Sequence, residues 1–169
     1  MSAHIAVAET TAAFDSALFR HVVGHFCTGV AVAASLHDDQ PVGFTIQSFT
    51  SVSLHPPLIL ICAAKSSASW PSMRASGAFC VTILCDEQET VSRAFAAKGR
   101  ARFTDIEWRR APVTGSPVLN DALAWVDCRI RVEHDAGDHV IAIGQVVDLD
   151  ARRHGQPLLF YQGGYRRIG

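Results

Sequence analysis

Between Pro41 and Pro57 the chain reads PVGFTIQSFTSVSLHPP, without one Lys, Arg, Asp or Glu. Its aromatic and β-branched residues show no helical period, so the stretch is extended chain. The run before it, Gly29 to Leu36, is also apolar and β-rich, and the polar tetrad His37-Asp38-Asp39-Gln40 separates the two. Two such runs about a short polar turn make a hairpin. The second strand is expected to continue to Leu54, until Pro56-Pro57 breaks it, because proline fixes its own φ and restricts the residue before it. A chain that begins this way must build a sheet from strands consecutive in sequence.

The same stretch carries small hydroxyl side chains at Thr45, Ser48, Thr50, Ser51 and Ser53. A half-buried strand would normally alternate more cleanly and place charges on its wet face. Hydroxyls without charges suit a backbone that a polar, planar ligand approaches closely, because short side chains leave main-chain N–H groups within reach.

Elsewhere the pattern is of short elements. Residues 1–13 form an Ala- and Thr-rich leader expected to be flexible. A helix is expected from about Asp15 to Phe26, with Phe14, Leu18, Val22 and Phe26 as an apolar stripe widened by Phe19 and Val23. Leu58 to Ala64 is an unbroken apolar run, expected as a central strand buried on both faces. Lys65 to Ser69 is a loop, Ser69 an N-cap, and Trp70-Pro71 the start of a short helix that Gly77 ends. Ala78 to Leu84 is a strand, and a helix follows from Asp86 or Glu87 to Lys98. Residues 99–120 read as mixed, with Pro112, Gly115 and Pro117 marking loop. Ala124 to His134 alternates, with Ala124, Val126, Cys128, Ile130 and Val132 on one face and Trp125, Asp127, Arg129, Arg131 and Glu133 on the other. Asp135 to Asp138 is a turn, His139 to Leu149 the paired strand, and Pro157 to Tyr161 a last strand closed by Gly163-Gly164. The fold class expected is mainly β: six or seven antiparallel strands closed into a barrel, with two or three short flanking helices. Residues 14–169 are expected to form a single domain.

Bulk properties narrow the function. Of the 169 residues, 49% are hydrophobic and 18% charged, so the chain is globular and some of its surface is expected to lie against a partner. A net charge of −1 points to neither nucleic acid nor an anionic membrane. Arg152, Arg153, Arg166 and Arg167 read as solvated surface. No apolar run reaches membrane-spanning length, and residues 1–11 carry no secretory pattern, so a cytoplasmic location is expected. The five cysteines are scattered, without a Cys-x-x-Cys pair, and read as reduced and buried.

Many catalytic motifs are absent. There is no Gly-x-Gly-x-x-Gly after a strand, no P-loop, no nucleophile elbow at Ser48, and no carboxylate dyad. His21 and His25 are spaced as two metal ligands could be, but Val22 stands where a His-Glu-x-x-His motif needs Glu, so partly buried helix histidines are the plainer reading. His134 and His139 flank a turn. Such absences fit chemistry carried by bound redox groups, where the protein supplies position and electrostatics. Lys65 and the serines after it, just before a helix N-terminus, form an anion site on physical grounds alone.

Taken together, several motifs are similar to those of one family. They are Phe26-Cys-Thr-Gly-Val30, the stretch Gly43 to Pro57, Ser67-Ala-Ser-Trp70, Phe79-Cys-Val-Thr-Ile-Leu84, Gly137-Asp-His139 with Gly144-Gln-Val146, and Pro157-Leu-Leu-Phe-Tyr161. The chain resembles the short-chain flavin reductases, the reductase components of two-component flavin-dependent monooxygenases. The resemblance implies an FMN-binding type split β-barrel, a homodimer with flavin near its interface, FMN or FAD as flavin, and NADH or NADPH as hydride donor. It further implies reduced flavin diffusing to a separate monooxygenase, with no metal and no acid–base catalytic residue. Carried over by position, Thr45, Ile46, Gln47 and Ser48 would meet the isoalloxazine edge. Ser51, Val52 and Ser53 would follow the ribityl and phosphate side, and Lys65, Ser66, Ser67 and Ser69 would form the phosphate loop. Thr28 and Phe103 would also contact flavin, with Lys98 and Arg102 matching a region near its tail. His139 and Tyr161 would face the nicotinamide, although a turn residue accounts for His139 equally and a core aromatic is the plainer reading of Tyr161. A non-catalytic flavin carrier is the alternative function. A pyridoxamine-phosphate oxidase or haem-degrading relative would need basic or haem-ligating residues that do not stand out here.

Overall fold

The computed structural model describes residues 14–97, 103–152 and 154–169. The leader 1–13, Lys98, Arg102 and Arg153 lie outside them. In chain order the elements are α1 (Ser16–Val23), β1 (Thr28–Gly29), β2 (Ala31–His37), β3 (Gln40–Ile46), β4 (Thr50–Leu54), β5 (Pro57–Ala64), α2 (Trp70–Ser76) and β6 (Ala78–Ile83). A 3-10 turn (Asp86–Gln88) then leads into α3 (Glu89–Ala96), followed by β7 (Trp108–Arg110), β8 (Pro117–Leu119), β9 (Ala124–Ala136), β10 (His139–Ala151), β11 (Leu159–Tyr161) and β12 (Gly164–Arg166).

Seven strands make one antiparallel sheet in the order β3-β2-β6-β9-β10-β5-β4. The hydroxyl stretch is where this sheet closes. Instead of one strand running to Leu54, it is two, β3 and β4, interrupted at Gln47–Phe49. These two strands are the opposite edges of the sheet. In a flat sheet with strands about 4.8 Å apart, the edges would be nearly 30 Å apart. The link from Ile46 to Thr50 spans at most about 14 Å even when fully extended. The sheet must therefore curl until its edges meet, which is the expected barrel. Ser48 ties the crossing down, its Oγ accepting from Cys62 N at 2.8 Å on β5.

The turns obey local chemistry. Asp38 and Asp39 both take positive φ, 49° and 58°, so that β2 and β3 join in a two-residue hairpin with His37 paired to Gln40. Gly137, with φ 68°, opens the two-residue turn between β9 and β10, which are 13 residues each.

The barrel core is filled by Ala31, Ala33, Ile46, Ile59, Ile61, Phe79, Val81, Cys128 and Ala142, and α2 adds Trp70 and Met73. A second cluster outside β2 joins Val30, Val32 and Ala34 to Leu84, Phe95, Leu119 and Leu158. So β2 and β6 are the strands buried at consecutive residues, on both faces, and Leu58–Ala64 is not. In β5 only alternate residues, Ile59, Ile61 and Ala63, are buried. It lies beside edge strand β4. The polar face expected of β9 is likewise buried at its start. Trp125 packs with Cys80, Ala111 and Val118 under the β7–β8 hairpin, which lies in the stretch read as mixed. The fully buried Asp127 accepts from Thr114 N at 2.9 Å and from Thr114 Oγ1 at 2.5 Å. A buried carboxylate is tolerated when its lone pairs are filled in this way.

Further expectations need correcting. The helix α1 is capped by Asp15, which accepts from Leu18 N at 2.7 Å, but it ends at Val23, with Gly24 as its C-cap, rather than at Phe26. Beyond it, His25 N and Phe26 N bond to carbonyls three residues back, tightening the chain. No residue of α1 is buried, and Phe26 is 78% exposed. The histidines His21 and His25 are therefore exposed, with rings 5.0 Å apart. Ser69 does not cap α2 with its side chain, which donates to Gly43 O at 3.1 Å instead. Of the five free cysteines, Cys80, Cys85 and Cys128 are buried, Cys62 is half-buried and Cys27 is exposed. Burial pushes the Cys128 thiol up to about 12 and the Cys80 thiol up as well, with the Asp127 charge adding to both. Neither can serve as a thiolate nucleophile. Gln162-Gly163 forms a further turn, so that β12 folds back on β11, a strand beyond those expected.

Gly144, on β10, faces the centre of the barrel. A Cβ there would stand 2.7 Å from Phe79 Cζ and 3.0 Å from Cys128 Cβ, and β10 is irregular in register at this point. Gly144→Ala should destabilise the fold by about 1–3 kcal/mol through overpacking. Urea denaturation would measure this, and an unchanged midpoint would contradict the packing described.

Candidate active site

A cavity of about 720 Å³ opens where the barrel edge, α3 and the β11–β12 hairpin meet. One wall is Thr45 to Ser48, the end of edge strand β3 and the start of the crossing. Among the described residues, no carbonyl accepts the N–H groups of Gln47, Ser48 or Phe49. An edge that donates to nothing in the chain can donate to a ligand.

Two of the hydroxyls on this wall are already engaged. Thr45 Oγ1 donates to Ser92 O at 2.7 Å, pinning β3 to α3. Ser48 Oγ holds Cys62 N and lies 3.4 Å from Cys62 O. These side chains shape the wall and leave recognition to the backbone.

The facing wall comes from the chain terminus. Gly163 and Gly164 line the cavity beside Phe160 and Tyr165. Gly163 takes φ 76°, and a Cβ added there would meet nothing within 4 Å. Gly163 thus leaves its part of the wall free of any side chain, while the Arg166 guanidinium lies against Gly164, 2.7 Å from where a Cβ would stand. Tyr165 OH lies 2.8 Å from Ser92 Oγ, which locks the hairpin onto α3. The guanidinium of Arg93 lies 4.8 Å above the Tyr165 ring and pairs with Glu89 at 2.7 Å.

His139, the first residue of β10, also lines the cavity, and its Nδ1 lies 2.7 Å from Asp138 Oδ1. That hydrogen bond from His139 holds the Asp138 carboxyl below the usual carboxylate range. An ionised carboxylate only accepts, so Nδ1 carries the proton and Nε2 is the ring's remaining nitrogen. At the same end of the barrel Lys65 Nζ meets Asp135 Oδ2 at 2.6 Å, and Lys65 N donates to Asp138 O at 2.9 Å. The Lys65 loop is thus strapped to the β9–β10 turn.

The structure distributes the remaining expected residues around this cavity rather than in it. Ser51, Val52 and Ser53 lie on β4, where Val52 is 48% exposed and the register shifts. Ser66 is exposed and Ser67 half-buried in the Lys65 loop. Ser69 and Phe103 line a neighbouring cavity of about 410 Å³ under the β2–β3 hairpin, where Phe103 stacks edge-on against Phe95 at 4.8 Å. Thr28 lines a third cavity, with its Oγ1 3.4 Å from Gln47 Oε1. Tyr161 stacks edge-on with His25 at 6.4 Å, away from the main cavity. Sequence reading missed Arg93, Cys62, Phe160 and Tyr165. The Glu89–Arg93 spacing signals only a helix-surface ion pair, whereas Gly163-Gly164 was visible as a turn. No group of three or more His, Cys, Asp or Glu side chains gathers as a metal site among the described residues.

Comparison with known proteins bears on this geometry. The family model described as flavin reductase like domain matches residues 23–169. The chain is similar to the reductase subunit HsaB of a flavin-dependent monooxygenase from Rhodococcus jostii, 44% identical over 156 residues, covering 92% of this chain and 80% of that one. It is also similar to the crystal structure of nitrilotriacetate monooxygenase component B from Mycobacterium thermoresistibile. That match has a TM-score of 0.87 and 44% identity, covering 90% of this chain and 86% of the other. A third likeness is to the Streptomyces globisporus C-1027 NADH:FAD oxidoreductase SgcE6 in complex with NAD and FAD fragments. There the TM-score is 0.88 and the identity 34%, covering 96% of this chain and 98% of the other.

The Lys65–Asp135 strap has a pH signature. Its hydrogen bond lowers the Asp135 pKa, so the stabilisation is present above the unfolded carboxylate value and is lost as pH falls through the folded one. Asp135→Asn should lower the melting temperature slightly at neutral pH and low salt. The difference from wild type should begin to shrink only below about pH 4 and vanish once the pH has passed below the lowered folded value. Melting curves across pH 3–7 (roughly the range that brackets the carboxylate) check this, and a difference independent of pH would refute the strap.

Proposed function

The chain belongs to the flavin reductase-like family, and from that premise we propose that it is an NAD(P)H:flavin oxidoreductase whose site is the 720 Å³ cavity. It reduces FMN or FAD and supplies the product to a separate monooxygenase component. The bound groups supply the redox chemistry: two electrons and a proton pass as hydride from nicotinamide C4 to flavin N5, leaving a positive charge on one ring and a negative charge on the other.

The protein's own part is positioning. The observation that carries the reading is a single cavity lined both by the donor edge Thr45–Ser48 and by the side-chain-free Gly163. The N–H groups of Gln47 and Ser48 donate to the polar rim of the ring and strengthen as negative charge develops there. Ser92, held between Thr45 and Tyr165, keeps the two walls at fixed separation. His139, oriented by Asp138, stands where the nicotinamide enters. The loop Lys65–Ser69 and Phe103 border the path of the phosphate-bearing tail. An open cavity suits flavin that must leave after each turnover.

A homodimer is part of the same reading. The stripe Phe14, Leu18, Phe19, Val22 and Phe26 is apolar and exposed, and Leu54 on β4 is 79% exposed. An apolar face of this extent calls for a partner surface. The hydrogen bond from Gln162 N to Gly24 O links α1 to the hairpin that bears Gly163, so a partner seated on α1 borders the cavity. No described helix is long and apolar enough to cross a membrane, and a cytoplasmic location fits a nicotinamide-dependent enzyme.

Purified protein mixed with NADH or NADPH and each of FMN and FAD should oxidise the nicotinamide well above the enzyme-free rate in at least one pairing. Silence in all four pairings would end the proposal. Leu18→Glu together with Val22→Glu should convert a dimer to a monomer in light scattering. A species of unchanged mass would show that α1 is not the interface.

A further inference from the structure

Resting on the flavin-reducing reading of this cavity, we propose that Arg93 makes the site favour the reduced, negatively charged flavin ring over the neutral oxidised one, with Glu89 and Tyr165 as its positioning residues. Among the described residues lining the cavity, Arg93 is the one permanently charged side chain, and no carboxylate lines it. Reduction adds negative charge to a ring that was neutral, so one fixed cation in the wall discriminates between the two states.

The guanidinium is held from two sides. Glu89, one helical turn earlier, accepts from Nε at 2.9 Å and pairs with Nη2 at 2.7 Å. Tyr165 supports its face at 4.8 Å, and Tyr165 is itself fixed by Ser92. Two of the five N–H donors are engaged by Glu89, which leaves three for a ligand. A side chain fixed in this way loses little further entropy on binding.

The position favours the ring over the phosphate. Arg93 shares its cavity with the Thr45–Ser48 edge and the Gly163–Gly164 face, whereas Lys65, Ser66, Ser67 and Ser69 lie outside that cavity. The Arg93 side chain is 65% exposed and its charge is partly balanced by Glu89, so the preference is moderate. A moderate preference is what a released product requires, since strong retention would slow each turnover.

Binding of riboflavin and of FMN, each oxidised and dithionite-reduced, can be measured by anaerobic ultrafiltration. Riboflavin lacks the phosphate and so isolates the ring. Wild type should bind the reduced form of both flavins more tightly. Arg93→Met should reduce that preference about tenfold, equivalent to about 1.4 kcal/mol, for riboflavin and FMN alike. Arg93→Lys should restore part of it. Glu89→Gln, which removes the balancing charge while its amide oxygen can still hold the guanidinium, should raise the preference, giving an opposite shift that misfolding cannot imitate. Equal weakening of both redox states in Arg93→Met would overturn the proposal, as would an effect confined to FMN. If wild type binds neither flavin in either state, the flavin reading itself fails, and this proposal with it.

Discussion

Three residues, Gln47 to Phe49, carry the chain from one edge of a seven-stranded sheet to the other. That short reach forces the barrel to close, because the two edges cannot stay separated by the full width of a flat sheet. Closure has a second effect. The strands meet through a crossing segment rather than through a full ladder, so the backbone donors at the seam lack strand partners. Ser48 secures the seam to Cys62 through its hydroxyl, and this frees its main chain. The barrel's seam and the Thr45–Ser48 wall of the cavity meet in the same stretch.

The opposite wall depends on a second set of fixed points. Ser92 uses its carbonyl for Thr45 and its hydroxyl for Tyr165, so one residue of α3 sets the distance from strand edge to terminal hairpin. Burial of Phe95 and Leu158 beneath the same region keeps α3 and the terminal segment against β2. The cavity is therefore bounded by elements anchored in a packed cluster, which is the condition for holding two rings at near-attack distance. At the same end of the barrel, the Lys65–Asp135 pair joins the loop before α2 to the β9–β10 turn, and the Asp138–His139 pair orients the first residue of β10. All four partners are substantially exposed, so these pairs orient side chains more than they stabilise the fold.

Much of the fold was legible because its signals are local. Turn residues at Asp38-Asp39, Gly77 and Gly137, and the alternation of β9, marked elements that the structure contains. The errors fall where burial is decided at a distance. Leu58–Ala64 reads as doubly buried, yet its outer face lies beside the sheet edge, while Val32 and Ala34 are covered by α3 and the terminal segment. The β7–β8 hairpin escaped notice because its strands are three residues each and gain their apolar partner, Trp125, from a strand far along the chain. The stripe on α1 was visible as periodicity, but periodicity does not say which surface covers it.

By itself the sequence determined a mainly antiparallel barrel and a hydroxyl-rich, uncharged edge beside it, since period, turn chemistry and the absence of charge are properties of neighbouring residues. It also marked Thr45 to Ser48 and His139, through motifs a few residues long. Only the tertiary structure decided that the hydroxyl stretch breaks in the middle to become both edges of one sheet. Only it brought Arg93, Tyr165 and Gly163 to face Thr45. Those residues come from α3 and the last hairpin, and their meeting depends on sheet curvature and packing around Ser92, neither of which leaves a local trace in the chain.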